Sequence, residues 1–476
     1  LTDVTGVQTC ALPISKGWEF RGIPLYDSPV LIAEKAVLPL APATDPEAAL
    51  QNYRKLWRTP EVEARIAAGI EKNRKGDAVI RVVDAAGRPV PNARVEVRQT
   101  GHEFLFGCNA FVLGQLPTPE INRKYEQAFL KLFNFATVPF YWEGTEPAQG
   151  ELRYEELARD MWRRPPADRF LPWAATNGVT LKGHPLLWHA YNPAWIPKDA
   201  EELRGLYRKR FREIASRFGD RIPIWDVVNE SQVCPKGYPL YSPDRAYVDW
   251  AFAEAVPLFP KSNVMMINEV TSYNFTPAEK NPYFAQVKAM LGKGLPVRGI
   301  GFQYHYFRRA SLDSHMAGTN CNPGPMLDLY EAFNAFDLPM YVTEITIPSA
   351  GEDGDALQAE VVCDHYRLWF SAPGMAGITW WNLGDGTAVK GENEAMGGLT
   401  DGALDPKPAY TALDKLINGE WKTTAAVETG ADGKAAFRGF RGTYAYTVRA
   451  GAASAGGTFQ LKRAADPVTV RLGAAR

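Results

Sequence analysis

Two glutamates stand at the ends of segments that are otherwise typical of a protein core. Glu230 closes the run "IPIWDVVNE" (222–230), directly after Asn229, and Glu344 lies within "PMYVTEIT" (339–346). Two carboxyl groups that face each other across a cleft suit glycoside hydrolysis, since one can protonate the departing oxygen while the other attacks or stabilises the anomeric carbon. The two glutamates therefore predict this chemistry, provided that the fold brings them together.

Further polar and aromatic side chains occur at the ends of neighbouring apolar runs. A carboxylate nucleophile must stay ionised, and a nearby histidine lowers its pKa, whereas the negative charge opposite keeps the acid protonated. His305 is the candidate for that supporting role. The other candidates for contact with a substrate at these ends are His184, Trp188, His189, Gln303 and Trp381.

These side chains need a frame of buried strands whose carboxyl ends share one face. Between residues 104 and 383, eight apolar or β-branched runs alternate with longer segments of helical spacing. This count predicts an α/β fold, a (β/α)8 (TIM) barrel, whose active-site residues project from the carboxyl ends of the strands. A doubly wound sheet is the alternative, but no glycine-rich phosphate loop follows the first strand. The runs cover residues 104–110, 133–140, 179–188, 222–230, 263–269, 297–305, 339–346 and 377–383.

Two β-rich pieces flank the predicted barrel. Residues 77–101 alternate apolar and polar residues around a Gly/Pro turn, which indicates a hairpin, and residues 420–476 continue with short strands and turns. Because two strands alone make no stable sheet, we expect one accessory β-sandwich built from both segments, with the barrel (102–419) inserted between them. Two unconnected appendages are the alternative. We expect the sandwich to be a structural support, since no row of exposed aromatic residues indicates carbohydrate binding.

The region before the sandwich divides into two parts. Residues 1–16 contain "VTGVQTCALPI", which resembles a translated sequencing adapter, so this leader is excluded from fold reasoning. Residues 17–76 are predicted to form a partly helical lead-in, because "TPEVEARIAAGIEKN" has helical spacing. If the leader is an artefact, the lack of a visible signal peptide carries no information about export.

The charge balance and the motifs of the sequence limit which classes of binding partner we expect. Lys and Arg number 53 against 54 Asp and Glu, so no net field recruits nucleic acid or an acidic membrane surface. No apolar run approaches the ~20 residues that span a bilayer. No motif supplies a ligand set for a metal, and the proposed chemistry requires no organic cofactor. We expect a monomer that binds a polysaccharide or oligosaccharide.

The five cysteines are scattered without C-x-x-C spacing, which argues against a zinc ribbon or a disulfide scaffold. Cys234 lies shortly after Glu230, and Cys321 lies in the loop after His305, so both belong to the same face of the predicted barrel. A disulfide between them is one alternative, and free thiols are the other.

Five motifs occur in one order along the barrel segment: "GHPLLWH", "WDVVNE", "GIGFQYH", "YVTEI" and "LTDGALDPKPAY". Together they make the region 104–416 resemble glycoside hydrolase family 10, the retaining endo-β-1,4-xylanases. The resemblance implies that Glu230 is the general acid/base, that Glu344 is the nucleophile and that His305 supports Glu344. It further implies a secreted or periplasmic enzyme in which Asn229 donates to the sugar 2-hydroxyl. The subsite where the bond breaks would be shaped by His184, Trp188 and Trp381.

The second strand departs from the family pattern. Family members carry a Glu-Asn pair and a Lys there, whereas this chain has "VPFY" (138–141) before Trp142. Each neutral hydrogen bond lost to a sugar hydroxyl costs ~0.5–1.5 kcal/mol, so ordinary xylan should bind less well. Phe140, Tyr141 and Trp142 offer aromatic surface for a different or decorated β-glycan, although we expect at least one of them to pack in the core. Further departures are Tyr191, where a glutamine is usual, and Thr346, where an acid is usual.

Each candidate also has a plainer structural interpretation. The glutamates can form an ion pair at the rim, the histidines can be satisfied core residues, and the tryptophans can fill the barrel. For His189, packing and ligand contact are equally plausible roles. Trp380 should point away from the cleft, because side chains alternate along a strand.

Two alternative functions remain open. One is the same chemistry on a non-xylan or decorated β-glycan, and the other is a non-catalytic glycan-binding protein.

Overall fold

The structure is a computed structural model that describes residues 45–463 and 466–473. The predicted leader (1–16) and the lead-in up to residue 44 lie outside the described residues. The described chain begins with helices α1 (Pro46–Trp57) and α2 (Pro60–Arg74), followed by strands β1 (Lys75–Val83) and β2 (Arg94–His102). Both helices start at a proline, and the preceding Asp45 or Thr59 accepts a backbone N–H of the first turn, which satisfies a donor that the helix itself cannot pair.

A closed parallel barrel follows, in agreement with the eight apolar runs. Its strands are β3 (Leu105–Asn109), β4 (Phe135–Pro139), β5 (Thr180–His184), β6 (Leu187–Trp188), β7 (Ile224–Asn229), β8 (Val264–Glu269), β9 (Gly299–His305), β10 (Met340–Thr346) and β11 (Met375–Trp380). β5 and β6 share one position, because both pair with β7, and β11 pairs with β3 to close the ring. The prediction of a (β/α)8 barrel is confirmed, and the doubly wound alternative is wrong.

Helices lie between the strands and cover the barrel. They are α3 (Pro119–Leu132), α4 (Trp142–Thr145), α5 (Phe170–Asn177), α6 (Ala200–Phe218), α7 (Ala246–Ala255), α8 (Pro282–Gly292), α9 (Arg309–Ala317), α10 (Pro323–Asn334), α11 (Gly354–Ser371) and α12 (Pro408–Asp414), with a π-helical turn at Lys415–Glu420. Because helices cover one face of the barrel strands and side chains fill the other, β7 is buried along its whole length. This double burial explains the core-like run that precedes Glu230.

The terminal segments combine into two facing sheets. The strands after the barrel are β12 (Thr424–Glu428), β13 (Lys434–Phe440), β14 (Gly442–Ala450), β15 (Ala453–Leu461) and β16 (Val468–Arg471). One sheet has the order β13-β1-β16 and the other β12-β2-β14-β15. Ile80 and Val82 of the first sheet share a core with Val95 and Val448 of the second. Each sheet thus contains strands from both ends of the chain, as predicted, and the two-appendage alternative is wrong.

The N-terminal helices pack on the outside of the barrel. Tyr53 and Trp57 of α1 are buried, and the indole Nε1 of Trp57 donates to the carbonyl oxygen of Cys321 at 2.6 Å. Arg74, at the end of α2, is buried and donates to the carbonyl oxygens of Ala372 and Met375. In the part of the chain that the structure describes, no helix is long and apolar enough to cross a membrane.

The thiols of Cys234 and Cys321 are both free and buried. The Sγ atom of Cys321 donates to the carbonyl oxygen of Gly318 at 3.1 Å, and that of Cys234 lies 3.9 Å from the carbonyl oxygen of Pro235. Of the two alternatives for these cysteines, the structure has the unpaired thiols.

Candidate active site

A cleft opens at the carboxyl ends of the barrel strands. Most of the residues predicted to act there line this one cleft: Tyr141, His184, Trp188, Glu230, Gln303, His305, Glu344 and Trp381. Residues that lie far apart in the sequence meet here because parallel barrel strands all end on the same face.

Glu230 follows the last residue of β7 in a left-handed backbone conformation (φ 56°), which is uncommon for a residue other than glycine. Its Oε1 accepts a hydrogen bond from Nε2 of Gln303 at 2.9 Å, and its Oε2 accepts one from Nε1 of Trp188 at 3.2 Å. Burial, with a smaller contribution from the charge of Glu344, raises the pKa of Glu230 to about 8. The group is therefore protonated at neutral pH and can deliver a proton.

Glu344 lies near the end of β10 in a different electrostatic environment. Its Oε1 accepts hydrogen bonds from Nδ2 of Asn268 at 2.8 Å and from Nε2 of Gln303 at 3.3 Å. Burial alone would raise the pKa of Glu344, but nearby His184 and His305 hold it below its usual value. At neutral pH Glu344 is thus ionised while Glu230 is protonated. A nucleophile and a general acid require these opposite protonation states.

His305 is held between a carboxylate and a hydroxyl. Its Nε2 lies 3.1 Å from Oε2 of Glu344, and its Nδ1 lies 2.9 Å from Oγ1 of Thr346. A carboxylate only accepts hydrogen bonds, so Nε2 carries the donated proton, and in the neutral ring Nδ1 accepts from the threonine hydroxyl. Thr346, which stands where the family usually has an acid, therefore fixes the orientation of this histidine without adding a negative charge.

A buried ion network lies behind the cleft. Asp226 Oδ2 accepts from Nζ of Lys182 and from Nδ1 of His184, each at 2.6 Å, and all three side chains are almost fully buried. Burial would raise the pKa of Asp226, but Lys182 and His184 hold it below its usual value. Nδ1 of His184 also lies 3.9 Å from Oε1 of Glu344. The sequence interpretation missed Lys182 and Asp226, although a charged residue inside an apolar strand was a signal for both.

One nitrogen joins the two carboxyl groups. Nε2 of Gln303 donates to Oε1 of Glu230 at 2.9 Å and lies 3.3 Å from Oε1 of Glu344. These two oxygens can therefore be at most about 6 Å apart. At this distance both carboxyl groups can act on the same glycosidic bond.

Asn229 is the last residue of β7, and its buried side chain lies beside Gln303, which contacts both glutamates. Its Oδ1 accepts a hydrogen bond from Nδ2 of Asn268 at 2.8 Å, which fixes the orientation of the amide. Its own Nδ2 is buried and has no hydrogen-bond partner among the described residues. Because a buried donor without a partner is costly, this N–H group suits a ligand oxygen.

The aromatic residues of the second strand divide between cleft and core. The Tyr141 ring lies in the cleft, 5.7 Å from that of Trp188 and 5.4 Å from that of His184. Phe140 is fully buried, and its ring centre lies 4.8 Å from that of Trp225. Of the three consecutive aromatic residues at positions 140–142, the one that lines the cleft is Tyr141.

Two predicted substrate contacts do not line the cleft. Trp142 begins α4, so its ring packs against Tyr207 at 4.6 Å, and its Nε1 donates to Oε2 of Glu146 at 2.9 Å. His189 follows the end of β6, and its ring lies 6.4 Å from that of Tyr238. Neither residue belongs to a barrel strand, so the alternation of side chains along the strand no longer determines where its side chain points.

Three charged residues of the cleft were not predicted. Arg163 and Arg164 come from the irregular segment 146–166 between α4 and α5, and Glu392 comes from the loop after β11. The two arginines are 3% and 8% exposed. Since the segment has no periodic pattern, nothing in the sequence indicated that these side chains face the cleft.

Among the residues that the structure describes, no group of three or more His, Cys, Asp or Glu side chains is placed to hold a metal ion.

A (β/α)8 barrel with two differently tuned carboxyl groups at the ends of its fourth and seventh strand positions defines a site of the glycoside hydrolase class. The family model described as glycosyl hydrolase family 10 matches residues 120–416, and the chain belongs to that family.

The relatives and solved structures that this chain resembles include xylanases. Endo-1,4-beta-xylanase B of Thermotoga neapolitana is 27% identical over 321 residues, which are 63% of this chain and 85% of that protein. Anti-sigma-I factor RsgI6 of Acetivibrio thermocellus is 25% identical over 390 residues, which are 80% of this chain but only 45% of that protein. The crystal structure of xylanase 10B from Thermotoga petrophila RKU-1 in complex with xylobiose superposes with a TM-score of 0.55 at 25% identity, covering 67% of this chain and 95% of that one.

Proposed function

We propose that this protein is a retaining, endo-acting hydrolase of β-1,4-xylan or a related plant cell-wall β-glycan. The observation that carries the proposal is the contact of one Gln303 nitrogen with both Glu230 and Glu344. It limits their nearest oxygens to about 6 Å, which is compatible with the ~5–5.5 Å between the carboxyl groups of a retaining enzyme and supports that mechanism.

In the first step, the ionised carboxylate of Glu344 attacks the anomeric carbon, and the glycosidic bond breaks. Glu230 gives its proton to the departing oxygen, so that the leaving sugar is released as an alcohol. The raised pKa of Glu230 and the lowered pKa of Glu344 supply the protonation states that this step needs. The product is a glycosyl ester on Glu344.

In the second step, water attacks the anomeric carbon, and Glu230 accepts a proton from that water. The bond to Glu344 breaks, and its carboxylate is restored. Esterification removes the negative charge of Glu344, which is one of the causes of the raised pKa of Glu230. The pKa of Glu230 therefore falls in the intermediate, and the group changes from acid to base.

Neighbouring groups position the sugar and the nucleophile. The Nδ2 of Asn229, which has no partner in the described chain, is available to donate to the sugar 2-hydroxyl. His305 donates to Glu344 and keeps it ionised. Trp188, Trp381 and His184 line the cleft, which supports their assignment to the subsite where the bond breaks.

The substrate class follows from the relatives and from the altered second strand. Relatives with xylanase names support β-1,4-xylan as the first substrate to test. The segment 138–141 supplies buried Val138 and Phe140 and the cleft residue Tyr141 in place of hydrogen-bonding side chains. These residues favour a decorated or non-xylan β-glycan over plain xylan, with unchanged chemistry.

The test compares a β-1,4-glycan with an aryl β-glycoside whose leaving group needs no proton. Glu344→Gln should reduce turnover of both substrates by about a thousandfold or more, because the nucleophile is lost. Glu230→Gln should reduce turnover of the glycan by ~10²–10⁴-fold but spare cleavage of the aryl bond. Glu254→Gln, which alters a surface glutamate paired with Arg208, is the matched control.

Two outcomes would contradict the proposal. Unchanged hydrolysis of the β-1,4-glycan in the Glu230 or Glu344 variant would remove the assignment of that residue. Binding of glycans by the wild-type protein without hydrolysis across a broad panel of β-linked glycans and aryl glycosides would favour the non-catalytic alternative.

A further inference from the structure

A pair of arginines lies in a cleft whose other walls combine aromatic rings with polar side chains, among them the carboxyl groups of Glu230, Glu344 and Glu392. Arg163 and Arg164 reach the cleft from the segment 146–166, which contains no strand or helix. Both are at least nine-tenths buried, with 3% and 8% of their surfaces exposed. Burial of a guanidinium group is costly unless it is paired, and hydroxyl groups of neutral sugars do not require a full positive charge.

The hydrogen-bonding capacity of this pair is only partly used. Arg163 donates through Nη1 to Oδ1 of Asn382 at 2.7 Å and to the carbonyl oxygen of Thr387. Arg164 donates through Nη1 to the carbonyl oxygen of Arg163 at 3.1 Å, and its Nη2 forms an ion pair with Oε1 of Glu143 at 3.8 Å, a distance longer than a hydrogen bond. The Nε atoms of both arginines are buried without a hydrogen-bond partner in the described chain. Since each guanidinium group carries five N–H donors, the pair retains donors for a ligand.

Packing holds Arg164 in one orientation. Its guanidinium carbon lies 3.9 Å from the ring centre of Tyr141 and 5.1 Å from that of Tyr191, so the group stacks on both rings. Its stem lies against Gly144, where an added Cβ would come within 2.8 Å of Cδ of Arg164. A planar, preoriented guanidinium group is the side chain that matches a carboxylate through two parallel hydrogen bonds.

The place of the pair relative to the carboxyl groups defines which part of a substrate it meets. The Tyr141 ring contacts both the guanidinium group of Arg164 and the ring of His184, and Nδ1 of His184 lies 3.9 Å from Oε1 of Glu344. Two rings therefore connect Arg164 to the nucleophile, so the guanidinium group is placed to meet a neighbouring sugar or its substituent.

We propose that Arg163 and Arg164 form a binding site for the carboxylate of a uronic acid carried by the glycan substrate. This proposal deepens the proposed function, because it names the decoration that the altered cleft accepts. Arg164 supplies the main contact, and Arg163, fixed by Asn382, adds positive charge and keeps Arg164 in place.

The experiment measures binding, so that it does not depend on turnover. The full chain with Glu344→Gln is titrated by calorimetry with a xylo-oligosaccharide that carries one glucuronic acid branch, and with the methyl ester of the same compound. The two ligands differ by one negative charge. We expect the acid to bind at least about tenfold more tightly than the ester, because a charge-assisted bidentate contact is lost in the ester.

Two further variants test whether the preference for the acid over the ester comes from Arg164. Arg164→Gln should bring the ratio of the two affinities close to one, and Gly144→Ala, which displaces the stem of Arg164, should lower the ratio as well. Arg159→Gln removes an exposed arginine of the same segment and should leave the ratio unchanged.

Equal affinities for acid and ester, or no measurable binding of either, would overturn the proposal, and this result does not require any variant of Arg164 to fold. A preference for the acid that persists in a folded Arg164→Gln variant would also overturn it. Turnover of neutral xylo-oligosaccharides by the wild-type chain tests the proposed function separately. A protein that hydrolyses neutral glycans but binds acid and ester equally would lose the carboxylate site alone, whereas one that prefers the acid but hydrolyses nothing would lose the hydrolase function alone.

Discussion

The imidazole of His305 bridges Glu344 to a neutral hydroxyl: its Nε2 lies 3.1 Å from Oε2 of Glu344, while its Nδ1 lies 2.9 Å from Oγ1 of Thr346. The ring therefore stabilises the carboxylate while its other nitrogen pairs with a hydroxyl and not with a second acid. Since Glu344 is also held by Asn268 at 2.8 Å, the position and the charge of this side chain are determined by groups from three different strands.

The hydroxyl of Thr346 should matter for the pH dependence of the reaction. In Thr346→Val the histidine ring loses its orienting hydrogen bond, so its donation to Glu344 weakens and the pKa of Glu344 rises. The acidic limb of the profile of kcat/KM against pH should move to higher pH, with a few-fold loss of activity, as expected for one neutral hydrogen bond of ~0.5–1.5 kcal/mol. Steady-state kinetics across the acidic range measure the shift, and an acidic limb that does not move would contradict this role.

The alkaline limb of the same profile should report Glu230. Because its pKa is raised to about 8, Glu230 is protonated below that value and loses the proton above it. We expect kcat/KM to fall tenfold per pH unit above about 8, while the lowered pKa of Glu344 keeps activity high through the mildly acidic range. A limb that begins near the usual glutamate value would exclude Glu230 as the general acid.

The charge of Glu344 should be measurable at Glu230. In Glu344→Gln the neighbouring negative charge is removed, so the pKa of Glu230 should fall but remain above its ordinary value, because burial is the larger cause of its rise. A ¹³C NMR titration of the Glu230 carboxyl carbon measures the change. Glu392→Gln removes another carboxyl group of the cleft and is the control, in which the pKa of Glu230 should stay the same.

The buried ion pair of Lys182 and Asp226 should make a large contribution to the free energy of unfolding. Asp226→Asn leaves Lys182 as an uncompensated buried charge, so the free energy of unfolding should drop by ~3–5 kcal/mol in urea titrations at neutral pH. The surface pair of Lys293 and Asp249 is the control, and Asp249→Asn should cost less than ~1 kcal/mol. A loss as small as that of the surface pair would show that the buried charges are compensated elsewhere.

The same network implies a pH dependence of stability. The pKa of Asp226 is lower in the folded than in the unfolded chain, so its contribution is present above the unfolded carboxyl pKa of ~3.9 and disappears as the pH falls toward the depressed value. Asp226→Asn should lack this part of the acid destabilisation. Urea titrations at successive acidic pH values measure the difference between the two proteins.

Tyr141 and Trp142 are neighbours in sequence with separate expected roles. Tyr141→Ala should raise KM, because it removes an aromatic wall of the cleft and the surface on which Arg164 stacks. Trp142→Phe should leave KM unchanged but lower the free energy of unfolding by ~1–3 kcal/mol, since the buried Oε2 of Glu146 loses its donor. Kinetics and denaturation of both variants distinguish the roles, and a raised KM in Trp142→Phe would return that residue to the cleft.

Local pattern was enough to predict the barrel strands. Runs such as 222–230 and 339–346 are apolar because barrel strands are buried on both faces, and that property is visible in consecutive residues. Since the carboxyl ends of parallel strands meet on one face, the same pattern also predicted that Glu230 and Glu344 would meet. The joint sandwich followed from the instability of a two-stranded sheet, which is likewise a property of short segments.

Tertiary structure alone decided which side chains around the glutamates face the cleft. Trp142 and His189 follow strand ends, where the alternation of side chains stops, so their direction depends on the turn of the chain and on partners such as Tyr207 and Tyr238. Arg163 and Arg164 lie in a segment without periodicity, and long-range partners hold them in the cleft: Asn382 for Arg163, and the rings of Tyr141 and Tyr191 for Arg164. The sequence by itself determined the barrel and where its carboxylates lie, whereas long-range packing determined the charge and shape of the surface that meets the sugar.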